Sequence, residues 1–119
     1  MTAPDPFVLL ANHCVQGAEL PLAYAELPAD KTVCGRPVAG TAVLGEFGGR
    51  VVGIWEISAG VSTDVEVDEL FIVLRGCARV SFADGTPDLL LRTGSVGRLA
   101  AGTATTWSVS ETLRKIYIA

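Results

Sequence analysis

The sequence predicts one all-β domain of the sandwich or barrel type, with an irregular N-terminal arm. Turn signals that contain glycine recur at short intervals after residue 40, and the segments between them are rich in valine, isoleucine, threonine and aromatic residues. No segment after residue 40 shows the helical period of apolar residues. A chain of 119 residues has the usual size of one domain and can bury a hydrophobic core.

Residues 1–40 are predicted to form an arm that packs on a barrel made by residues 41–119. Prolines at positions 4, 6, 21, 28 and 37 interrupt any long helix in this arm. Residues 7–11 fit either a short strand or a buried segment. The only histidine of the chain, His13, is expected to lie in a loop.

Tight turns divide the barrel region into short strands. Gly48-Gly49 and Asp84-Gly85 are strong hairpin signals, and further turns are expected at 59–60, 93–94 and 100–102. The predicted strands are 41–47, 51–58, 63–67, 69–82, 88–92, 95–99, 105–109 and 113–118. The segments 63–67 and 69–82 fit either two strands or one bent strand, and the last two strands are expected to form a hairpin around residues 110–112.

Charge and composition argue against several classes of protein. The net charge is −4 and the nine basic residues are scattered, so the sequence lacks the basic patch of a nucleic-acid-binding protein. No apolar stretch is long enough to span a membrane and no signal peptide is evident, which predicts a cytoplasmic protein. Cys14, Cys34 and Cys77 lack the spacing of zinc or redox sites and are expected to be reduced thiols.

A continuous apolar run, residues 71–74, lies inside the long predicted strand 69–82. Because successive side chains of a strand point to opposite faces, this run predicts a strand that is buried on both faces. One face would serve the barrel, and the other needs a covering sheet or a second subunit. This pattern therefore points to a subunit interface.

Two groups of residues resemble the motifs of the cupin superfamily. Glu69 and Gly76 resemble the end of the first cupin motif, and Gly94, Ala100 and Gly102 have the spacing of the second, which normally carries proline where Ala100 stands. Further matches lie at Gly53-Ile54-Trp55-Glu56, Gly60, Asp68, Leu74, Asp84-Gly85, Thr106-Trp107, Val109, Arg114-Lys115 and Tyr117. Together they resemble a branch of small single-domain cupins of unknown function, related to ureidoglycine aminohydrolases and an ethanolamine-utilisation cupin. Cupins of this size usually dimerise through such strands as 69–82, so the resemblance implies a homodimer.

The resemblance implies a jelly-roll-like β-barrel, but the histidines that hold a metal in this superfamily are absent. Counting back from Glu69, the two histidines of the first motif would fall at Thr63 and Val65, or at positions 62 and 64. The histidine of the second motif would fall at Thr105. Of the four ligands that the motifs imply, only Glu69 is present. We therefore expect no histidine-ligated metal and no other cofactor.

Oxygen ligands offer an alternative metal site. Asp64, Glu66 and Asp68 alternate, so an extended strand would put them on one face, where they could bind Mn²⁺ or Mg²⁺. However, Val65 and Val67 mark the opposite face as the apolar one. This pattern favours a solvated acidic face over a metal site.

Glu69 is the strongest candidate for a functional residue. In an unbroken strand its side chain shares a face with Phe71 and Val73, which points the carboxylate into the barrel. A buried carboxylate needs a partner. The candidate donors are Lys115, Arg98, the indole N–H of Trp55 or Trp107 and the Tyr117 hydroxyl. Lys115 and Tyr117 share one face of the last strand, so we expect the donor to come from these two residues. If a bulge occurs near residue 68, this parity is reversed.

The remaining candidates for ligand binding are Trp55, Thr105, Trp107 and Tyr117. The aromatic residues could line a small-molecule pocket at the barrel mouth or simply fill the barrel. The polar neighbours of Trp107 indicate a half-exposed strand and favour packing for that residue. For Trp55 the sequence favours neither role.

Three functions fit this pattern, and the sequence leaves open whether the protein is an enzyme. The first is a metal-free cupin that binds a small polar or anionic metabolite in its barrel. The second is a metabolic enzyme of the ureidoglycine-hydrolase or sugar-isomerase type, which the resemblance implies, with Glu69 as acid or base and Lys115 as electrostatic stabiliser. The third is a non-catalytic structural or regulatory dimer.

Overall fold

The computed structural model describes residues 8–119, which form an all-β domain as predicted. The start of the predicted arm, including Phe7, lies outside the described residues. The described part of the chain has one short 3₁₀ helix, Ala29–Lys31, and no helix that is long and apolar enough to span a membrane. The strands are β1 (Ala25–Glu26), β2 (Thr32–Cys34), β3 (Val38–Phe47), β4 (Arg50–Ile57), β5 (Gly60–Val65), β6 (Glu69–Phe82), β7 (Leu89–Leu91), β8 (Val96–Leu99) and β9 (Ala104–Ile118).

Two long strands, β6 and β9, run antiparallel to each other through the centre of the sheet. The first half of β9 also pairs with β5 and the second half with β4. Along its other edge, β6 pairs with β8 near its start and with β7 near its end. Because each long strand takes part in both halves of the structure, the sheet curls around one core.

The two long strands bend together at Gly76. Its φ angle is +98°, which favours glycine, and a Cβ atom there would overlap the carbonyl oxygen of Thr112 on β9. The β6–β9 register shifts between Val73 and Ala78, on both sides of this point. These irregularities allow the strands to bend while they remain paired.

The predicted hairpin around residues 110–112 is wrong, since β9 is one continuous strand. Ser110, Glu111 and Thr112 lie beside the bend of β6, where Cys77 is paired with Glu111. They turn the strand without reversing it. By contrast, the alternative of two separate strands is correct for β5 and β6.

Residues 25–40 contribute β1, β2 and the first residues of β3 to the sheet, so the range predicted as an arm includes short strands. Residues 8–24 contain no strand and contact the outer face of the sheet. The backbone N–H of Leu9 donates to the carbonyl of Leu44 at 2.8 Å, and Gly17 lies against Ile54 and Leu74. This segment covers part of the outer face of β3, β4 and β6.

The core lies inside the curled sheet, and alternate residues of its strands supply it. Phe71 and Val73 of β6 point inward, as their parity predicts, and both are buried. The other fully buried apolar side chains in this cluster are Ile57, Val80, Leu99 and Leu113. The core fills one part of the barrel interior and leaves a cavity in another part.

Candidate functional site

A cavity of about 370 Å³, here called the barrel cavity, opens between the two halves of the sheet. It is lined by residues of strands β3, β4, β5, β6 and β9, by Leu27 and by the loop between β5 and β6. The side chains of interest in its lining are Trp55, Glu66, Glu69, Trp107, Lys115 and Tyr117. A cavity of this volume is within the range that holds small metabolites.

Lys115 and Glu69 form an ion pair at the wall of this cavity. The Lys115 Nζ lies 2.6 Å from the Glu69 Oε2, and the two side chains are 6% and 11% exposed. This pairing confirms that Glu69 points inward and that Lys115 is its partner, whereas the Tyr117 hydroxyl, the other expected donor, lies near the Thr41 hydroxyl instead. The parity is preserved because the bulges of β6 begin after Val73, beyond Glu69.

Three aromatic rings surround the Lys115 ammonium. Its Nζ lies 4.7 Å from the ring centroid of Trp55, 4.9 Å from that of Phe71 and 5.0 Å from that of Trp107. The Trp55 and Trp107 rings themselves meet edge-on, with centroids 5.8 Å apart. The electron-rich ring faces and the Glu69 carboxylate together compensate for the loss of water around the ammonium. The aromatic residues are therefore both core and cavity lining.

Glu66 points into the cavity, so the predicted solvated acidic face is wrong for this residue. Its Oε1 accepts hydrogen bonds from the Thr105 hydroxyl at 2.6 Å and from the Trp107 indole N–H at 2.9 Å. Strand β5 ends at Val65, and outside a regular strand the alternation of faces no longer holds. Val65 and Val67, which marked the predicted apolar face, are exposed instead, at 65% and 59%.

Thr105 and Trp107 are both buried, although the sequence indicated that Trp107 lies on a half-exposed strand. Trp107 is only 4% exposed, because its indole ring packs between the core and the cavity. Its ring contacts Phe71 and Lys115 while its N–H reaches Glu66. Trp107 thus lines the barrel cavity, whereas Thr105 is not in its lining and contacts it through Glu66.

Tyr117 lines another wall of the cavity, where its hydroxyl lies 3.3 Å from the Thr41 hydroxyl. The ring rests directly on Gly53 of β4, where any Cβ atom would overlap it. The Thr41 hydroxyl also donates to the carbonyl of Ile54 at 2.9 Å. Gly53 is therefore needed so that the Tyr117 ring can pack against β4.

The residues present do not fit the divalent metal that the cupin motifs imply. Glu69 is paired with an ammonium, which would repel a metal cation at that carboxylate. Thr105 donates its hydroxyl hydrogen to Glu66, and Val65 is exposed. Within residues 8–119, no three His, Cys, Asp or Glu side chains are grouped closely enough to hold a metal ion.

The three alternating carboxylates also diverge. Asp64 lies 3.4 Å from the Lys31 Nζ at the rim, whereas Asp68 accepts a hydrogen bond from the backbone N–H of Ala101 at 2.9 Å. Asp64 and Glu66 line the barrel cavity, and Asp68 does not. The arrangement that would favour Mn²⁺ or Mg²⁺ over water is not formed by these three side chains.

A second charged cluster, which the sequence analysis missed, lies on the outer face of the same strands. The Arg114 Nε and the Arg75 Nη2 donate to the Glu56 Oε1 at 3.0 and 2.8 Å, and the Tyr24 hydroxyl donates to the Glu56 Oε2. Arg114, only 2% exposed, also donates to the carbonyls of Gly17 and Leu20. The cluster therefore anchors the segment 8–24 to β4 and β9. Strand parity could have revealed this cluster. Glu56 and Arg114 each follow or precede a cavity residue, Trp55 or Lys115, by one position, so both side chains point to the outer face.

These contacts perturb two ionisable groups. Burial alone would raise the pKa of Glu56, but hydrogen bonds from Tyr24, Arg75 and Arg114 outweigh it and hold the pKa below its ordinary value. The hydrogen bond to Glu56, with burial, raises the pKa of Tyr24. Both shifts stabilise the protonation states found at neutral pH.

Residues 44–117 match the family described as the EutQ-like cupin domain. No curated protein matches the chain.

Solved structures share the fold at low sequence identity. A protein of unknown function from Rhizobium leguminosarum is 23% identical, with 67% of this chain and 78% of that one covered and a TM-score of 0.60. The EutQ protein of Clostridium difficile is 20% identical, with 69% and 61% covered and a TM-score of 0.58. A DUF861 family protein from Pseudomonas syringae is 19% identical, with 84% and 44% covered and a TM-score of 0.72. These similarities show the fold.

Proposed function

This chain belongs to the EutQ-like cupin domain family, and we propose that its barrel cavity binds a small polar metabolite without a histidine-ligated metal. The observation that carries the proposal is the Lys115 ammonium, which lies at the cavity wall in the pair with Glu69. A cupin metal would offer a positive charge to ligand oxygens from inside the barrel, and this ammonium offers one from the protein itself. Its N–H groups are donors for a carboxylate, carbonyl or hydroxyl oxygen.

Burial makes this donor effective. Lys115 is held between aromatic rings and paired with one carboxylate, so it is already oriented before a ligand arrives. Hydrogen bonds from a charged donor are about twice as strong as those from a neutral one. Trp55 and Tyr117 add apolar walls, as in most small-molecule sites.

The test is a thermal-shift screen of small carboxylates, sugars and other polar metabolites, followed by calorimetry on the hits. A ligand at 100 times its Kd stabilises the folded protein by about 2.7 kcal/mol. We expect the Lys115→Met variant to lose this stabilisation and Arg92→Met, which removes an exposed positive charge, to keep it. A hit that binds Lys115→Met as tightly as the unmodified protein would place its site elsewhere.

A second proposal is catalysis at the same site, with Glu69 as general acid or base. It is favoured by the position of Glu69, whose carboxylate lies 2.6 Å from a charged donor at the edge of a cavity that admits a substrate. Metabolites that bind would be incubated with the protein and followed by NMR spectroscopy. Turnover that Glu69→Gln abolishes would support the enzyme, and unchanged spectra after long incubation would favour a binding protein.

We also propose that the protein forms a homodimer through the outer face of β6, β8 and β9. Leu70 and Val96 are 42% and 67% exposed there, and their cross-strand neighbours Ile118 and Ile72 lie on the same face. Arg98 and Asp68 border this apolar surface. Since it carries both signs of charge, two copies related by a two-fold axis can pair these groups.

Sedimentation at micromolar concentration tests the dimer. We expect Leu70→Glu to give monomers and Leu90→Glu, at an exposed position on β7, to leave the dimer intact. A monomer for the unmodified protein would contradict the proposal. The cytoplasm remains our proposed location, supported by three cysteines that are all free thiols.

A further inference from the structure

The charged side chains that line the barrel cavity do not balance. They are Asp64, Glu66, Glu69 and Lys115. Lys115 neutralises Glu69, and Lys31 lies 3.4 Å from Asp64 at the exposed rim. Glu66 is the carboxylate for which residues 8–119 provide no salt bridge. Residues 1–7 include no lysine, arginine or histidine.

Neutral groups hold Glu66 in place. The Thr105 hydroxyl and the Trp107 indole N–H both donate to its Oε1, and these donors are buried. They fix the direction of the carboxylate and contribute no positive charge. A carboxylate that is partly withdrawn from water is stabilised by an opposite charge nearby, and the side chains around this one do not supply it.

We propose that the ligand supplies this charge: the cavity binds a small molecule with a protonated amine or guanidinium at Glu66 and an oxygen acceptor at Lys115. The inference rests on the proposed binding function and specifies its substrate class. It also refines the sequence-based expectation of a polar or anionic metabolite, because a ligand with negative charge alone would add to the excess of carboxylates.

The Trp107 side chain sets the distance between the two ends of such a ligand. Its N–H donates to Glu66 at 2.9 Å, and its ring centroid lies 5.0 Å from the Lys115 Nζ. Glu66 and Lys115 thus contact the same indole ring, one at its N–H edge and the other over its face. A short amino acid or amino amide carries the amine and the acceptor that two such neighbouring groups require.

A matched set of four-carbon probes tests the charge assignment. The probes are butanoate, butylamine, butanamide and 4-aminobutanoate, whose affinities would be measured by saturation-transfer NMR and calorimetry at pH 7. We expect 4-aminobutanoate to bind at least about tenfold more tightly than butanoate, as a charge-assisted hydrogen bond at Glu66 implies. In Glu66→Gln this ratio should fall close to one, whereas Glu111→Gln, an exposed change of equal charge, should retain it.

The outcomes separate this inference from the proposed function. If butanoate and 4-aminobutanoate bind equally and Lys115→Met weakens both, the cavity binds acceptors at Lys115 and the role of Glu66 is refuted. If Glu66→Gln leaves the tenfold preference unchanged, the amine binds elsewhere and the inference is again refuted. If no probe binds the unmodified protein at millimolar concentration, and the metabolite screen also finds no ligand that depends on Lys115, the proposed function fails and the inference fails with it.

Discussion

Replacing Lys115 by methionine tests whether Glu69 and Lys115 depend on each other for the stability of the folded protein. Methionine keeps most of the length and the apolar stem, so it fills the space between Trp55, Phe71 and Trp107. The change removes the partner of Glu69, which is 11% exposed. Breaking a buried pair by removing one partner typically costs about 3–5 kcal/mol, because a charge is left buried and uncompensated.

The double variant Glu69→Gln/Lys115→Met separates this cost from the packing change. Without either charge, the remaining loss is that of the hydrogen bond and the cation–π contacts, which are offset by better burial of the methionine, and we expect a net change within about 1.5 kcal/mol. Urea unfolding at pH 7 of the four proteins in the cycle gives the coupling free energy. We expect a coupling of about 2 kcal/mol or more. A loss of less than about 1 kcal/mol in Lys115→Met would refute the idea of a buried pair whose members depend on each other. A double variant that is no more stable than Lys115→Met would refute it as well.

The remaining predictions concern the bend and the outer cluster. Gly76→Ala should lower the free energy of unfolding by at least about 4 kcal/mol or prevent folding, because a Cβ there overlaps the Thr112 carbonyl. Gly85→Ala, with φ +84° and open space around it, should lower it by only about 1 kcal/mol. Similar losses for the two variants in urea unfolding would contradict the role of the bend. Since the pKa of Glu56 is lowered in the folded state, its contribution to stability is present above the ordinary value of 4.5 and is lost as the pH falls through the folded pKa. Glu56→Gln should therefore flatten the acid limb of the stability curve, and Glu111→Gln should not; an identical acid limb in all three proteins would contradict this assignment.

The sequence predicted most of the strands and the Glu69–Lys115 ion pair because these features depend on local signals. Turn glycines mark where strands end, and parity within β6 alone orients Glu69 with Phe71 and Val73. A buried carboxylate needs a partner, and Lys115 is one of two candidates, with Tyr117, that share one face of the last strand. These arguments use only neighbours in sequence and one electrostatic requirement.

The failed predictions involve places where the strand period breaks or where the partner is distant in sequence. Glu66 was assigned to a solvated face by counting along a strand that ends at Val65. The sequence of residues 105–118 predicts a hairpin where β9 in fact bends, because the bend depends on Gly76, which lies on another strand. Trp107 looked half-exposed from its polar neighbours, but Thr105 is buried with it and shares Glu66 as its partner.

The register of β4 and β9 connects the two charged clusters across the sheet. Trp55 is paired with Lys115 on the cavity face, and the next pair along the ladder, Glu56 with Arg114, faces outward. A strand cannot move one of these pairs without moving the other, because adjacent residues share one backbone. The outer cluster, which holds the segment 8–24 through the carbonyls of Gly17 and Leu20, therefore also fixes the position from which Lys115 enters the cavity. The buried Arg114 thus supports the orientation of the ammonium on which the proposed binding site depends.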